Sequence, residues 1–415
     1  MIEVNRRRFL FTTAGVGAAG LLTAVTGCGL SDLPFPSEER TLSDGEGILV
    51  ILTLYGGNDG LSTVIPYADN AYHDARPDLA YQPSEVLPLD GQLGLNRGMT
   101  GLSQLWSEHK LAIVRGVSYP KPDRSHFRSM DIWQTASPAE PVSSGWIGRW
   151  LDATGDDPMR AINIGAVLPL MAVGEKQAAS ALAGDSSPVS NEVSDALTAL
   201  GADDAGDTPA MSAVCTAYRS TTAFGAKISP VLGTGSPTVA IDPLAGGLTF
   251  SGASTTGPNP LNDKLDVVSK CVKAGLPTRV YMVALGGFDT HADERPTQES
   301  LLQVLDRGLT PFLRDMSTDR YGKNVVVMVY SEFGRRVAAN ASHGTDHGTA
   351  GPVFIAGAPV KGGFYGEEPS LTDLDDGDLK GSVDFRDVYH ELLTKTVGTD
   401  PEPAVGAGRS DIGFL

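Results

Sequence analysis

Cysteine and basic residues are scarce in this sequence, and each scarcity excludes a class of protein. Three cysteines in 415 residues exclude a disulfide-stapled scaffold and a zinc module built on four cysteines. The chain has 32 Lys and Arg against 50 Asp and Glu, which gives a net charge of −18. Such an acidic chain lacks the cationic face that neutralises phosphates, so we exclude nucleic acid as a partner.

What the sequence does contain is typical of a folded globular protein. Hydrophobic residues make up 41% of the chain and charged residues 20%, a balance that excludes global disorder. The 49 glycines and 27 prolines indicate many turns and long loops around a rigid frame.

The first 27 residues have the layout of a bacterial secretion signal. Arg6, Arg7 and Arg8 precede Phe-Leu and an apolar, small-residue run over 12–26, which is too short and glycine-rich for a comfortable membrane span. Paired arginines before Phe-Leu resemble the signal read by the twin-arginine translocase, which exports folded proteins. An ordinary secretory signal is the alternative. Either interpretation predicts an extracytoplasmic protein, in the periplasm or at the cell surface.

Residues 25–28, Val-Thr-Gly-Cys, resemble a lipobox. In such a motif Cys28 becomes lipidated and anchors the mature protein to a membrane. Cleavage nearby without lipidation is the alternative. We interpret residues 28–47, which contain two prolines, as a linker.

Continuous apolar, β-branched runs predict buried strands at 48–54, 111–114, 279–285 and 324–330, with a fifth candidate at 352–356. Continuous apolar runs are typical of strands that are buried on both faces in parallel sheets. Amphipathic stretches at 261–274, with Asn262 as a candidate cap, and at 298–316 predict helices between them. The sequence therefore predicts an α/β domain over 48–400 with a mostly parallel sheet, a helical and looped insertion near 176–260, and a C-terminal tail at 401–415.

Metal-ligating or acid–base side chains follow three of the predicted strands. They are Asp59 after the first, Asp289 and His291 after the third, and Glu332, Asp346 and His347 after the fourth. Ligands bind at the carboxyl ends of strands in open α/β sheets, and clustered carboxylates need a cation among them. We therefore predict that at least four of these six face one point. Taken alone, Asp59 after glycines is more typical of an ordinary turn.

A second polar cluster follows the strand predicted at 111–114 and opens a predicted helix. A helix N-terminus favours an anion or an activated hydroxyl, so Ser125 is a candidate nucleophile and Arg124 a candidate anion-binding residue. His126 is added to the candidate metal ligands. The alternative is that Asp123 or Ser125 merely caps the helix.

Taken together, these motifs resemble the bacterial family catalogued as domain of unknown function 1501. The matching stretches are the export signal, LYGGNDGLSTVIPY (54–67), RSHFRSMDIW (124–133), GGFDTHADE (286–294), SEFGR (331–335), GTDHG (344–348) and DFRDVY (384–389). That family looks like a branch of the alkaline phosphatase and sulfatase superfamily. The resemblance implies an α/β/α sandwich with divalent metal ions, such as zinc, calcium, manganese or magnesium, at the strand ends.

The resemblance implies a metal-dependent hydrolase of phosphate or sulfate esters, with a small-molecule or glycan ester as substrate. Two departures matter. The sulfatase signature, Cys or Ser followed by Pro and Arg, is absent, and Glu332 stands where the superfamily usually has Asp-His. A catalytically silent relative that binds an anionic or glycan ligand at the cell surface is therefore the alternative.

Overall fold

The structure is a computed structural model that describes residues 41–182, residues 196–232 apart from 197, 203 and 205, and residues 260–415. The predicted export signal, the lipobox with Cys28 and most of the predicted linker lie outside the described residues, as do parts of the predicted insertion. Among the helices in these ranges, none has the length and hydropathy that crossing a bilayer requires.

Fourteen strands are present in the described residues. They are β1 Ile48–Leu54, β2 Val64–Ile65, β3 Val86–Pro88, β4 Gly94–Asn96, β5 Leu111–Ser118, β6 Ala161–Ile164, β7 Ser180–Leu182, β8 Val280–Leu285, β9 Val325–Ser331, β10 Arg335–Ala339, β11 Thr345–His347, β12 Gly351–Ala356, β13 Gly363–Tyr365 and β14 Val383–Asp384. All five strands predicted from apolar runs are among them.

Nine α-helices lie wholly within the described ranges. They are α1 Asn70–Ala75, α2 Thr100–Ser107, α3 His126–Thr135, α4 Trp146–Thr154, α5 Pro209–Leu232, α6 Pro260–Lys273, α7 Glu294–Thr318, α8 Phe385–Glu391 and α9 Glu402–Val405. The two predicted amphipathic helices correspond to α6 and α7. Asn262 lies inside α6 rather than at its cap, because the helix already begins at Pro260.

The central sheet has nine strands in the order β13-β5-β12-β9-β1-β8-β6-β7, with β14 also paired to β5. Pairing is parallel throughout except on both sides of β12, which runs antiparallel to β5 and β9. The prediction of a mostly parallel sheet is confirmed.

Helices cover both faces of this sheet. Alternate side chains of β1 enter two separate hydrophobic cores, with Val50 in one and Ile51 in the other. The first core also takes apolar side chains from α2, α6 and α7, and the second takes them from α3, α4 and α8. The architecture is therefore the α/β/α sandwich that the resemblance implied, and it explains why β1 is apolar at every position.

The strands β8, β1 and β9 are neighbours and end at the same level. Leu54 at the end of β1 pairs with Leu285 of β8 on one side and with Ser331 of β9 on the other. The loops that follow these three strands therefore start side by side at one edge of the sheet.

Two predicted boundaries need correction. Residues 180–182, assigned to the insertion, form an edge strand parallel to β6. Residues 401–415, assigned to a tail, belong to the domain: Phe414 is fully buried, and the carboxylate of Glu391 accepts hydrogen bonds from the backbone N–H groups of Ile412, Gly413 and Leu415.

Candidate metal centre

The loops after β1 and β8 approach so closely that side chains are excluded between them. Gly56 has φ +120°, and a Cβ there would lie 2.4 Å from the backbone nitrogen of Asp289. Gly57, with φ +71°, would place a Cβ 2.1 Å from the ring of Phe333. The Gly-Gly pair is thus required for Asp289 and Phe333 to lie beside the end of β1.

One carboxylate oxygen, Oδ1 of Asp289, lies at the centre of the candidate site. Three imidazole Nε2 atoms lie near it, at 3.1 Å for His291, 3.2 Å for His347 and 3.6 Å for His126. Nε2 of His291 also lies 2.9 Å from Nε2 of His347. The Nη2 group of Arg335 donates to the same oxygen over 2.7 Å.

This donor set fits a divalent cation. Ligand atoms of His126, Asp289 and His347 all lie within 4.8 Å of one another, and Nε2 of His291 lies close to two of them. Four ligands around one tetrahedral zinc-type ion lie about 3.3–3.5 Å apart, close to the 2.9–3.6 Å separations measured between neighbouring donors here. Three imidazoles and one carboxylate favour zinc or manganese over calcium or magnesium, which prefer oxygen ligands.

In two of these imidazoles the second ring nitrogen, Nδ1, contacts an oxygen on the side of the ring away from Asp289. Nδ1 of His126 lies 2.8 Å from Oε1 of Glu332, and Nδ1 of His347 lies 2.8 Å from the backbone carbonyl oxygen of Arg124. The ring of Phe333 packs against both, with centroid distances of 4.9 and 4.7 Å. Such contacts fix ring orientation and direct Nε2 toward the shared oxygen.

Charge strongly biases protonation in this cluster. Burial opposes protonation of His126, but hydrogen bonds with Asp289 and Glu332 and their negative charges raise its pKa to about 9. Burial opposes ionisation of Asp289, yet hydrogen bonds from His126, His347 and Arg335 hold its pKa far below the usual range. Burial lowers the pKa of His291. A cation entering this site at neutral pH would therefore displace a proton from His126.

Arg335 ties the surrounding loops together. Its side chain is fully buried, and its guanidinium donates to the carbonyl oxygens of Gly57 at 2.6 Å, Phe288 at 3.0 Å and Thr345 at 2.9 Å, as well as to the carbonyl of Gly56. These carbonyls belong to the loops after β1 and β8 and to β11. Arg335 thus joins three segments of the site and neutralises Asp289.

Asp59, predicted as a metal ligand, lies in a different place. Its carboxylate is fully buried and forms a two-point ion pair with Arg76, at 2.5 Å to Nη1 and 3.0 Å to Nη2. It also accepts from the backbone N–H of Leu61, as the cap of a 3₁₀ turn. Burial opposes ionisation, but the charge of Arg76 lowers the pKa of Asp59 to about 2. The structure thus places Asp59 apart from the converging imidazoles, with both of its oxygens paired to Arg76.

Glu332 and Asp346 also lie outside the converging set. Glu332 is fully buried, and both of its oxygens have partners: Oε1 accepts from Gly56 N–H as well as contacting His126, and Oε2 accepts from Ser331 Oγ. Asp346 is exposed, and its Oδ1 lies 3.6 Å from Nδ1 of His291. Both contact the imidazoles from outside the shared point.

Three of the six residues predicted to converge therefore do so: Asp289, His291 and His347. This is one fewer than the four expected, and the fourth donor is His126, from the other cluster. The converging donors lie at the predicted sheet edge, while the carboxylates of Asp59, Glu332 and Asp346 lie outside the shared point.

Ser125 and Arg124 precede α3 as predicted, but the Ser125 side chain is exposed whereas the Arg124 guanidinium is already paired with carboxylates. Ser125 is exposed at the N-cap position, and its hydroxyl does not cap the helix. The guanidinium of Arg124 is bound to Asp378, at 2.5 Å, and to Asp376, at 3.2 Å. The guanidinium of Arg124 is thus paired with two aspartates, while its backbone carbonyl contacts Nδ1 of His347.

Arg76, Glu294 and Arg335 were not selected from the sequence, although two of them lie inside stretches that were. Glu294 ends GGFDTHADE and Arg335 ends SEFGR. The sequence did contain a signal for Arg335, because an arginine next to acidic residues is a natural counter-ion for them. Arg76 directly follows α1 as its C-cap residue, outside every motif, and no local pattern pointed to it.

Glu294 supplies a prediction about pH. Its buried carboxyl has a pKa raised well above the usual value by burial and by the charge of Asp59. The folded chain therefore keeps a proton that the unfolded chain loses above about pH 4.3, so the free energy of unfolding falls as pH rises from there. Glu294→Gln cannot ionise and should flatten this decline, which is at most about 1.4 kcal/mol per pH unit for one proton.

Urea unfolding of the wild type and of Glu294→Gln between pH 5 and 8 measures the two slopes. The matched control is Asp293→Asn, at the exposed neighbouring position, which should keep the wild-type slope. Equal slopes for the wild type and Glu294→Gln would show that Glu294 is ionised in the folded chain.

The fold and the site together define an α/β protein with a candidate cation centre at the carboxyl edge of its sheet. Residues 271–409 match the sequence model of the family described as protein of unknown function, DUF1501. The family resemblance noted in the sequence is thereby confirmed over these residues, which include all of the site except the part contributed by α3 and the loop after β1. No curated protein matches the chain.

Several solved structures are similar in overall arrangement. A protein in the alkaline phosphatase superfamily from Vibrio parahaemolyticus aligns over 97% of this chain and 78% of its own, at 10% identity and a TM-score of 0.41. The lipoteichoic acid synthase LtaP from Listeria monocytogenes aligns over 89% and 74%, at 9% identity and a TM-score of 0.38. TAB5 alkaline phosphatase, in a mutant with Mg bound, aligns over 86% and 99%, at 10% identity and a TM-score of 0.36.

Proposed function

We propose that this protein is a metal-dependent hydrolase of phosphate or sulfate esters that acts outside the cytoplasm. The observation that carries the proposal is the convergence of three imidazole nitrogens on Oδ1 of Asp289. His126, His291, His347 and Asp289 would hold the ion. A divalent cation bound there supplies a Lewis acid that polarises an ester oxygen and helps to ionise a nucleophile.

The chain's own residues supply the rest of the site. Ser125 lies between two residues that contact the centre, since the carbonyl of Arg124 meets His347 and the ring of His126 meets Asp289. Its hydroxyl is exposed and begins a ten-residue helix. The first-turn N–H groups of such a helix attract an anionic ester group. We assign Ser125 as the nucleophile of this proposed reaction.

The test is hydrolysis of a panel of simple phosphate monoesters, phosphate diesters and sulfate esters by protein loaded with Zn²⁺ or Mn²⁺. Ser125→Ala should lower kcat by at least about 10³-fold, as removal of a nucleophile does, while metal affinity stays unchanged. Ser107→Ala, an exposed serine at the end of α2, is the matched control and should keep full activity. Unchanged turnover by Ser125→Ala would exclude it as the nucleophile.

A non-catalytic receptor for an anionic or glycan ligand is the second candidate. It is favoured by the ion pairs of Arg124 with Asp376 and Asp378, which leave this guanidinium committed elsewhere rather than to an ester. If the metal-loaded protein hydrolyses none of the panel but binds phosphate or a sulfated glycan, with the binding lost in Asp289→Asn, this second function replaces the first.

We also propose that the twin-arginine translocase exports the protein and that Cys28 becomes its lipidated N-terminus. The support is the sequence of residues 5–28. Arg6→Lys combined with Arg7→Lys should retain precursor in the cytoplasm, as immunoblots of cell fractions will show, whereas Cys28→Ala should release exported protein from the membrane. Normal export of the double variant would rule out the twin-arginine route.

A further inference from the structure

A second group of buried carboxyl side chains, Asp59 and Glu294, lies next to the candidate metal centre. Both are fully buried. Thr345 joins the two groups: its hydroxyl donates to Oε2 of Glu294 over 2.5 Å, and its carbonyl accepts from Nη1 of Arg335. Arg335 in turn binds Asp289. The two carboxylate groups are therefore linked through two residues, so a second cation beside the first would be the ordinary expectation.

The oxygens of this second group already have hydrogen-bond donors. Both oxygens of Asp59 accept from Arg76. Oε1 of Glu294 accepts from Ser62 Oγ over 3.1 Å, and Oε2 accepts from Thr345. A metal ion needs carboxylate lone pairs directed at an open position. Here the lone pairs are directed at a guanidinium and two hydroxyl groups, whereas Oδ1 of Asp289, which also accepts from an arginine, has three imidazole Nε2 atoms within 3.6 Å.

Arg76 is fixed at this place from its other side as well. Its Nε donates to the carbonyl oxygen of Val337 over 2.8 Å, and its Nη2 donates to the carbonyl oxygen of Arg336 over 2.8 Å. Its side chain is fully buried. A guanidinium held by two backbone carbonyls and a two-point carboxylate pair is a permanent, correctly oriented positive charge.

We propose that Arg76 takes the place of a second metal ion, so that the chain binds a single divalent cation, at Asp289. This inference rests on the proposed metal centre and not on its catalytic activity. It assigns Asp59, which the sequence predicted as a metal ligand, to an internal ion pair with Arg76, beside the buried carboxyl group of Glu294. A one-cation site would then rely on this chain's side chains for any further positive charge in the reaction.

Stoichiometry tests this inference directly. Isothermal titration of metal-stripped wild-type protein with Mn²⁺, supported by elemental analysis, should give one ion per chain. Arg76→Met frees the oxygens of Asp59 and should raise the stoichiometry to two. The double variant Arg76→Met with Asp59→Asn removes both charges and should return it to one, which separates a new site from general loosening of the fold.

Two ions per wild-type chain, or none, would overturn the inference, as would a folded Arg76→Met that still binds one. If Arg76→Met does not fold, the wild type and the double variant decide, since both must bind one ion. One bound ion together with an absence of ester hydrolysis would contradict the proposed function and support this inference.

Discussion

Asp289→Asn is expected to lower the affinity for Zn²⁺ or Mn²⁺ by more than about 100-fold, because even second-shell changes cost 10–100-fold. Oδ1 of Asp289 is the atom on which all three imidazoles converge, and an amide oxygen there carries no charge to hold the cation. Hydrolytic activity at limiting metal should fall by at least the same factor. Isothermal titration of the metal-stripped variant measures the effect.

Asp346→Asn is the matched control for this change. Asp346 belongs to the same acidic cluster, but its side chain is 60% exposed and its carboxylate lies 3.6 Å from Nδ1 of His291, behind the ring. We expect at most about a 10-fold loss of metal affinity, as for a weak second-shell partner. Equal losses in the two variants would mean that Asp289 is not the centre of the site.

Arg335→Met is expected to have the largest effect on stability, a loss of about 3–5 kcal/mol as is typical when one partner of a buried ion pair is removed. The substitution leaves Asp289 without its 2.7 Å partner. It also leaves the carbonyl oxygens of Gly57, Phe288 and Thr345 without the guanidinium donors that now satisfy them. Urea unfolding at pH 7 measures the loss.

Arg97→Met provides the comparison for an exposed arginine. The side chain of Arg97 is 54% exposed and pairs with Glu299 at 2.7 Å, so its loss should cost less than about 1 kcal/mol. If Arg335→Met is no more destabilising than Arg97→Met, the loops of the site do not depend on Arg335. Added Zn²⁺ should restore part of the stability of Arg335→Met, because a bound cation also neutralises Asp289.

The fold was predictable from the sequence because its strands are buried on both faces. The run at 48–54 is apolar at every position, and the structure places its alternate side chains in two different cores. Short strands carried no such signal: β7 and the hairpin of β10 and β11 are three to five residues long and depend on neighbours distant in the sequence. The C-terminal segment lacked a regular pattern, although its Phe414 is fully buried.

The location of the candidate site could be predicted from the sequence, but the pairing of its carboxylates with arginines could not. Parallel strands that end level bring the residues after them to one edge, and the structure places Asp289, His291 and His347 together there. Asp289 and Asp59 each pair with an arginine, but three imidazole Nε2 atoms lie near Oδ1 of Asp289, whereas both oxygens of Asp59 accept from its arginine. Arg76 pairs with Asp59 from the C-cap position after a six-residue helix, and nothing in the spacing of the chain indicates that pairing.

The most direct test of the account is a crystal structure of Mn²⁺- or Zn²⁺-loaded protein with anomalous data collected at the metal edge. The account predicts one strong peak per chain, about 2.0–2.3 Å from Oδ1 of Asp289 and from Nε2 of His347, with the remaining protein ligands supplied by His126 and His291. A peak between Asp59 and Glu294, or the absence of any peak at Asp289, would contradict it.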